Sequence, residues 1–344
     1  MTKLRIAVAG AGLIGRAHIA LIRKSQSCEL AAIADPTPQA QAFAQEIGVP
    51  HFVELERMLD EAKPQGVIVA TPNVAHAPNG LACIARGIPA LVEKPITETF
   101  ESAMELAAAA KKADVPLLVG HHRRHSAIFA QAREVIASGK LGRITSVTAF
   151  TTFLKPDPYF DMTWRKEPGG GPVLINLIHD IDDLRFLIGD IVRLQAMTSN
   201  AVRGFQVEDS AVVNLQFANG ALGSITCSDA AAAPWSWELT SGENPAFPRQ
   251  REDCCFITGT DGSLAVPTMR LWHYGAESGW MAPLHQTQLK QDEADPLARQ
   301  LDHFCAVIRR EAQPLCSGDD GAKTLQATLA IHESAASKRE VVLA

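Results

Sequence analysis

The chain has 344 residues, 47% of them hydrophobic and 20% charged, a mixture that supports two globular domains and excludes a disordered or fibrous polymer. Its 38 acidic against 32 basic side chains give a net charge of -6, which excludes a general nucleic-acid binder, because that task needs a basic face to displace counterions. No apolar run reaches the roughly 18 residues of a membrane span, and the first strand begins by about Leu4 with no room for a leader before it, so the expected location is the cytoplasm.

From Leu4 to Ala9 the sequence reads as a short apolar strand that runs into Gly10-Ala11-Gly12-Leu13-Ile14-Gly15 and then a helix to about Lys24. Further apolar runs at Leu30 to Ala34, Gly66 to Ala70, Ala90 to Val92 and Leu117 to Val119 alternate with helical segments around Pro38 to Glu46, His76 to Arg86 and Glu101 to Lys112. Strands without internal polar residues, alternating with helices, predict a parallel sheet covered on both faces. Residues 1–120 are therefore expected to form one doubly wound α/β domain.

The pattern changes after Gly120, and residues 121–344 are expected to form an α+β domain. Ala127 to Ala137 reads as a helix and Ile144 to Phe153 as a strand, followed by a loop rich in proline and glycine from Pro156 to Pro172. A helix from about Val173 to Ile188 leads into a strand-rich region. Val212 to Phe217 and Ala221 to Cys227 flank Asn219-Gly220, and Cys255 to Thr258 and Ser263 to Val266 flank Thr260-Asp261-Gly262, which predicts two antiparallel hairpins. Alternation of Val213, Leu215 and Phe217 with Asn214 and Gln216 predicts a large, mostly antiparallel sheet with helices on one face, its other face free to pair with a second subunit in a dimer or tetramer. The closing helices, about residues 296–337, are expected to pack back on the first domain. The seven cysteines, an odd number without Cys-x-x-Cys spacing, read as reduced thiols rather than a disulfide framework or a zinc site.

Gly10, Gly12 and Gly15 match G-x-G-x-x-G between a strand and a helix. The first glycine permits the tight turn, the second lets a pyrophosphate approach the backbone, and the third lets helix and strand pack closely. With Leu13 and Ile14 they open a helix whose free N–H groups attract phosphate. Asp35 falls 20 residues after Gly15, at the end of the second strand, where a carboxylate binds the ribose hydroxyls and repels a 2′-phosphate; NAD is therefore favoured over NADP. Thr71, Pro72, Asn73 and His76, and then Glu93-Lys94-Pro95, lie where later strands end, the edge at which such sheets bind ligands.

A G-x-G-x-x-G turn, then T-P-N-x-x-H, then E-K-P, followed by an antiparallel α/β domain, resembles the Gfo/Idh/MocA oxidoreductases, whose first domain is a Rossmann fold. The resemblance covers essentially the whole chain, including His179-Asp180 and Leu301-Asp302-His303-Phe304. It implies an NAD-dependent dehydrogenase in which Thr71, Pro72, Asn73, His76, Glu93 and Lys94 serve the cofactor site. Lys94 is carried over as a catalytic residue beside nicotinamide and substrate, and an ammonium there suits developing negative charge. His179 is the second catalytic candidate, since imidazole, with a reference pKa of about 6.5, exchanges protons near neutrality. Many relatives have Asp four residues before this histidine; here that position is Ile175, the nearest polar group is Asn176, and Asp180 or Asp183 would have to support the ring.

Arg123 and Arg124, in the His121 to His125 run, and Tyr159, Trp164 and Arg165, in the Pro/Gly loop, join Asn176 and His179 as expected substrate-binding residues. The three histidines of that run are not read as a metal site, because neighbouring side chains point apart and no carboxylate completes a ligand set. His18 and His51 are read as structural. The expected substrate is a sugar, inositol-like polyol or related hydroxylated ring. A carboxylated ring diol would use Arg123, Arg124 and Arg165; the other readings open on this fold are a glycoside hydrolase that retains NAD and a regulator that only senses it.

Overall fold

The structure, a computed structural model, describes residues 2–292 and 294–343. In chain order the first part forms β1 (Leu4–Ala9), α1 (Leu13–Lys24), β2 (Cys28–Ala34), α2 (Pro38–Glu46), β3 (His51–Phe52), α3 (Leu55–Ala62), β4 (Gly66–Val69), α4 (His76–Ala85), β5 (Ala90–Val92), α5 (Phe100–Ala113) and β6 (Leu117–Val119). There follow α6 (Ala127–Ala137), β7 (Ile144–Thr152), α7 (Ile178–Ile188), β8 (Ile191–Ser199), β9 (Ser210–Phe217), β10 (Leu222–Ser228) and α8 (Trp237–Thr240). The chain closes with β11 (Cys255–Gly259), β12 (Gly262–Val266), β13 (Arg270–Tyr274), β14 (Leu284–Gln288), α9 (Pro296–Ile308), α10 (Gly318–Ser337) and β15 (Val341–Val342). Two compact units result: Met1–His125 with Pro296–Leu325, and Ser126–Asp295 with Gln326–Ala344.

The first unit is built on a six-stranded parallel sheet of order β3-β2-β1-β4-β5-β6. Chain direction along the sheet reverses between β1 and β4, which opens a ligand crevice at their carboxyl ends. Thr37 and Thr99 cap α2 and α5 by accepting hydrogen bonds from Ala40 N and Ser102 N. Helix α9 buries Leu301, Phe304, Cys305 and Val307 in the same core as Ile6, Val8, Ile33 and Ile68, and each large apolar side chain so buried contributes roughly 1.5–3 kcal/mol. Strand β3 and helix α3 went unanticipated: the first is two residues long, and the second is mostly polar with only Leu55, Met58 and Leu59 buried.

The second unit is built on a nine-stranded sheet of order β14-β13-β12-β11-β7-β10-β9-β8-β15. Both expected hairpins are present, with Leu222 opposite Gln216 and Thr258 opposite Ser263. One pair departs from the antiparallel pattern: β7 and β10 run parallel, because a helix, and two further strands, separate them in sequence. Alternate residues of β9 face the buried core with α6 and α7 residues. Register places Met197, Val212, Leu222 and Phe256 together on the opposite face. The helix expected from Val173 is not α-helical throughout; Val173–Leu177 form a π-helical turn before α7.

Candidate active site

In the first unit the glycine turn is shaped by three different constraints. Gly10 has φ +91°, and a Cβ there would collide with the Ala70 and Thr71 backbone; a Cβ on Gly15 would collide with the Gly10 carbonyl. A Cβ on Gly12 would meet nothing within 4 Å. That open approach lies at the start of α1, which has neither a side-chain cap nor an acidic residue in its first turn, and Leu13 beside it is 94% exposed. Uncapped N–H groups beside an unobstructed glycine fit a pyrophosphate. Gly12→Ala is therefore expected to keep the wild-type melting temperature and to weaken NAD binding roughly tenfold or more by crowding the ligand, measured by fluorescence titration. Equal affinity would place the pyrophosphate elsewhere.

Asp35 is half-buried immediately after β2 and braces this turn. Its Oδ2 accepts from Ala11 N at 2.8 Å, and its Oδ1 accepts from Thr37 N and Thr37 Oγ1 at 2.9 and 2.6 Å. Burial works against its charge, but the Ala11 and Thr37 hydrogen bonds prevail and hold the carboxyl below its ordinary range. The ionised carboxylate retains acceptor positions for ribose hydroxyls. His51, read as structural, has Nε2 at 2.8 Å from Asp35 O.

The loops after β4 and β5 reach the same sheet edge. His76 is buried, with Nδ1 2.8 Å from Pro95 O and Nε2 2.8 Å from Thr71 O, so its ring ties the two loops together. Asn79 donates to Thr71 Oγ1 at 3.1 Å, a positioning contact that no sequence pattern signalled. Pro72 is exposed and Asn73 half-buried. Glu93 is also buried, accepting from His18 Nε2 at 2.7 Å, and a Cβ on Gly120 would strike its carboxylate. Burial would raise the Glu93 carboxyl, but His18, with His122 and Lys94 nearby, holds it below its ordinary range. Glu93 thus anchors the strand end from below, and half-buried Lys94 follows it.

His121, Arg123, Arg124 and His125 are all buried. Arg124 donates to Leu315 O at 3.0 Å and lies 3.7 Å from Asp320, which commits its charge to the start of α10. Burial and the Arg123 charge push His122 down to about 3, and burial and His303 push His125 to about 3, so both rings are neutral near pH 7. Among the described residues no group of three or more His, Cys, Asp or Glu is arranged to hold a metal ion.

In the second unit His179 and Asp180 are buried on the first turn of α7, and Asn176 lies in the π-helical turn before it, half-buried, its Oδ1 accepting no hydrogen bond among the described residues. The helix start is held by Glu208, which sequence reasoning missed. Its Oε1 accepts from Val173 N at 3.0 Å, Oε2 lies 3.2 Å from His332 Nε2, and Gly171 leaves the room its carboxylate fills. Burial opposes the Glu208 charge, but His332 and the Val173 N–H hold its carboxyl below the ordinary range.

The Pro/Gly loop folds into short 3-10 turns. Half-buried Arg165 donates to Tyr159 O at 2.6 Å and stacks 3.8 Å from the Tyr159 ring centroid; Trp164 is 45% exposed. Gly170 packs so closely on the Trp164 and Arg165 backbone that no Cβ fits, which seats this turn on the approach to Val173.

Residues 4–121 match the family described as oxidoreductase family, NAD-binding Rossmann fold, and residues 129–265 match the family described as GFO/IDH/MocA C-terminal domain. The 1,5-anhydro-D-fructose reductase of Ensifer adhaerens is 29% identical, over 94% of this chain and 96% of its own. The inositol 2-dehydrogenase of Rhizobium meliloti (strain 1021) is 26% identical, over 99% of each. Among solved structures, the WlbA dehydrogenase of Chromobacterium violaceum in complex with NADH and UDP-GlcNAcA is 26% identical with a TM-score of 0.79, covering 99% of this chain and 96% of that one. No helix among the described residues is long and apolar enough to cross a membrane.

Proposed function

The chain belongs to the Gfo/Idh/MocA oxidoreductase family and binds NAD, and from that premise we propose that it is a cytoplasmic dehydrogenase oxidising a secondary hydroxyl of a sugar, an inositol-like polyol or a related hydroxylated ring. The observation that carries the reading is the gathering of the open Gly12 turn, Asp35 and Lys94 along one sheet edge of the first unit. The reductase and inositol dehydrogenase names of its relatives support the substrate class. The seven cysteines are all buried, which supports a reducing compartment.

Bound NAD supplies the hydride acceptor. Lys94 holds the substrate oxygen and stabilises the charge that develops on it. His179 takes the hydroxyl proton during oxidation and returns it during reduction. Asn176 orients a substrate hydroxyl through Oδ1, a role a neutral amide performs without supporting an imidazolium. Arg123, Tyr159, Trp164 and Arg165 remain assigned to the substrate pocket; Arg124, engaged with Asp320, is left out of it.

The test is to mix the protein with NAD, and separately NADP, and a panel of inositols, aldoses, sugar acids and ring diols while following NADH or NADPH absorbance. Reduction of NAD by one stereochemical group of substrates is expected. Tight NAD binding without reduction across the panel would overturn the reading in favour of a retained-cofactor hydrolase or a sensor.

The open sheet face supports assembly with a second copy: Met197 is 73%, Leu222 57%, Val212 42% and Phe256 38% exposed. Apolar side chains grouped on one register-matched face favour burial by a partner. Light scattering at micromolar concentration is expected to give a dimer or tetramer mass, and a monomer would refute it.

A further inference from the structure

Beside Tyr159 and Arg165, assigned above to the substrate pocket, the second unit gathers positive charge that takes no part in the proton and hydride steps. Lys155 is buried just after β7, its Nζ 3.2 Å from Asp229 Oδ2 and 4.7 Å from the Tyr159 ring centroid. That ammonium donates no hydrogen bond among the described residues. Arg165 approaches the same ring at 3.8 Å; its Nε is buried without a hydrogen-bond partner, and no carboxylate pairs with it among the described residues. Asp229, the partner of Lys155, is already shared, because Arg203 Nε lies 3.1 Å from its Oδ1. Lys155 and Arg203 therefore share one carboxylate, and Arg165, on the same ring as Lys155, has none among the described residues. Ammonium and guanidinium groups withdrawn from water are costly unless anionic or polar oxygens complete their donor sets.

The cluster also lies beside the helix that carries Asn176 and His179. Gly170 seats the Arg165 turn on the approach to Val173. Burial pushes the Cys227 thiol up, and the charges acting on that thiol come from Asp180, Lys155, Asp229 and Glu208, two of them bound to this helix start or part of it.

We propose that Lys155, Tyr159 and Arg165 form a subsite for a carboxylate of the substrate, so that the oxidised hydroxyl belongs to a sugar acid rather than to a neutral polyol. This rests on the reading that the substrate binds at Asn176 and His179. The planar guanidinium of Arg165 grips both carboxylate oxygens, and Lys155 adds a point contact. Asp229 beside Lys155 tolerates a single negative charge and repels the second charge of a phosphate.

Calorimetric titration of the NAD-loaded enzyme with matched pairs, glucuronate against glucose and gluconate against glucitol, together with glucose 6-phosphate, tests this, with NADH formation followed in parallel. A preference for an acid over its neutral partner on the order of 10- to 100-fold is expected, collapsing towards unity in Arg165→Gln and partly restored in Arg165→Lys. The melting temperature and NAD affinity of each variant establish that it is folded. Equal affinities within pairs, a preference for the phosphate, or a ratio unmoved by Arg165→Gln would overturn the subsite. An acid that binds through Arg165 without forming NADH would support the subsite and refute the dehydrogenase reading. Reduction of NAD by neutral substrates alone would support the dehydrogenase and refute the subsite.

Discussion

Lys94→Ala is expected to lower kcat by roughly 10²- to 10⁴-fold while NAD affinity stays within a few-fold of wild type, a range set by the removal of one charge-stabilising group from a reacting oxygen. The separation of the two effects follows from how the site is held. In the proposed site the pyrophosphate and ribose are held by Gly12, the uncapped start of α1 and Asp35, and the contacts that shape these do not involve the lysine. The strand end is fixed independently by the Glu93 bond to His18 and the His76 contact with Pro95 O. Truncating Lys94 therefore removes an ammonium without loosening its support. Steady-state kinetics with fluorescence titration of NADH provide the check; turnover within tenfold of wild type would remove Lys94 from the chemistry.

The second large effect is a loss of stability in acid. His122 and His125 are neutral in the folded protein down to about 3, with burial the first cause in each, whereas imidazoles of the unfolded chain take up a proton near 6.5. Between those values the unfolded chain binds more protons than the folded one. Stability contributed by the neutral rings is thus fully present above about pH 6.5 and falls as the pH falls towards 3, by about 1.4 kcal/mol per pH unit per ring. The two rings, both pushed to about 3, contribute alike. Glu93 and Glu208, both held low, add loss of the same sign below the ordinary carboxylate range. Thermal melts from pH 7.5 to 5 are expected to shift steadily downwards, with a shallower dependence in His125→Asn. Melting temperatures independent of pH over that interval would contradict the assignment.

Local spacing carried most of the first unit. A glycine turn works through residues within five positions of one another, and a strand end places Asp35 or Glu93-Lys94 without reference to the rest of the chain. The roles of two expected cofactor residues were less legible: His76 and Glu93 hold the loops from beneath, through partners 19 and 75 residues away. Arg124 looked like a substrate ligand beside Arg123 until its contact with Asp320 was visible.

Sequence alone determined the α/β class, the glycine cradle, the carboxylate at the second strand and the hairpins around Asn219-Gly220 and Asp261-Gly262, since each is encoded by periodicity or by turn chemistry over a few residues. Tertiary structure alone decided the parallel pairing of β7 with β10, the π-helical turn before His179 and the assignment of the second half of α10, from Gln326, to the second unit rather than the first. It also decided that Glu208, 35 residues from Val173, supplies the acceptor the helix start lacks, and that Asp229 is shared between Lys155 and Arg203. These arrangements join groups distant in the chain, and a buried charge or an unsatisfied N–H finds its partner only when the fold brings the two together.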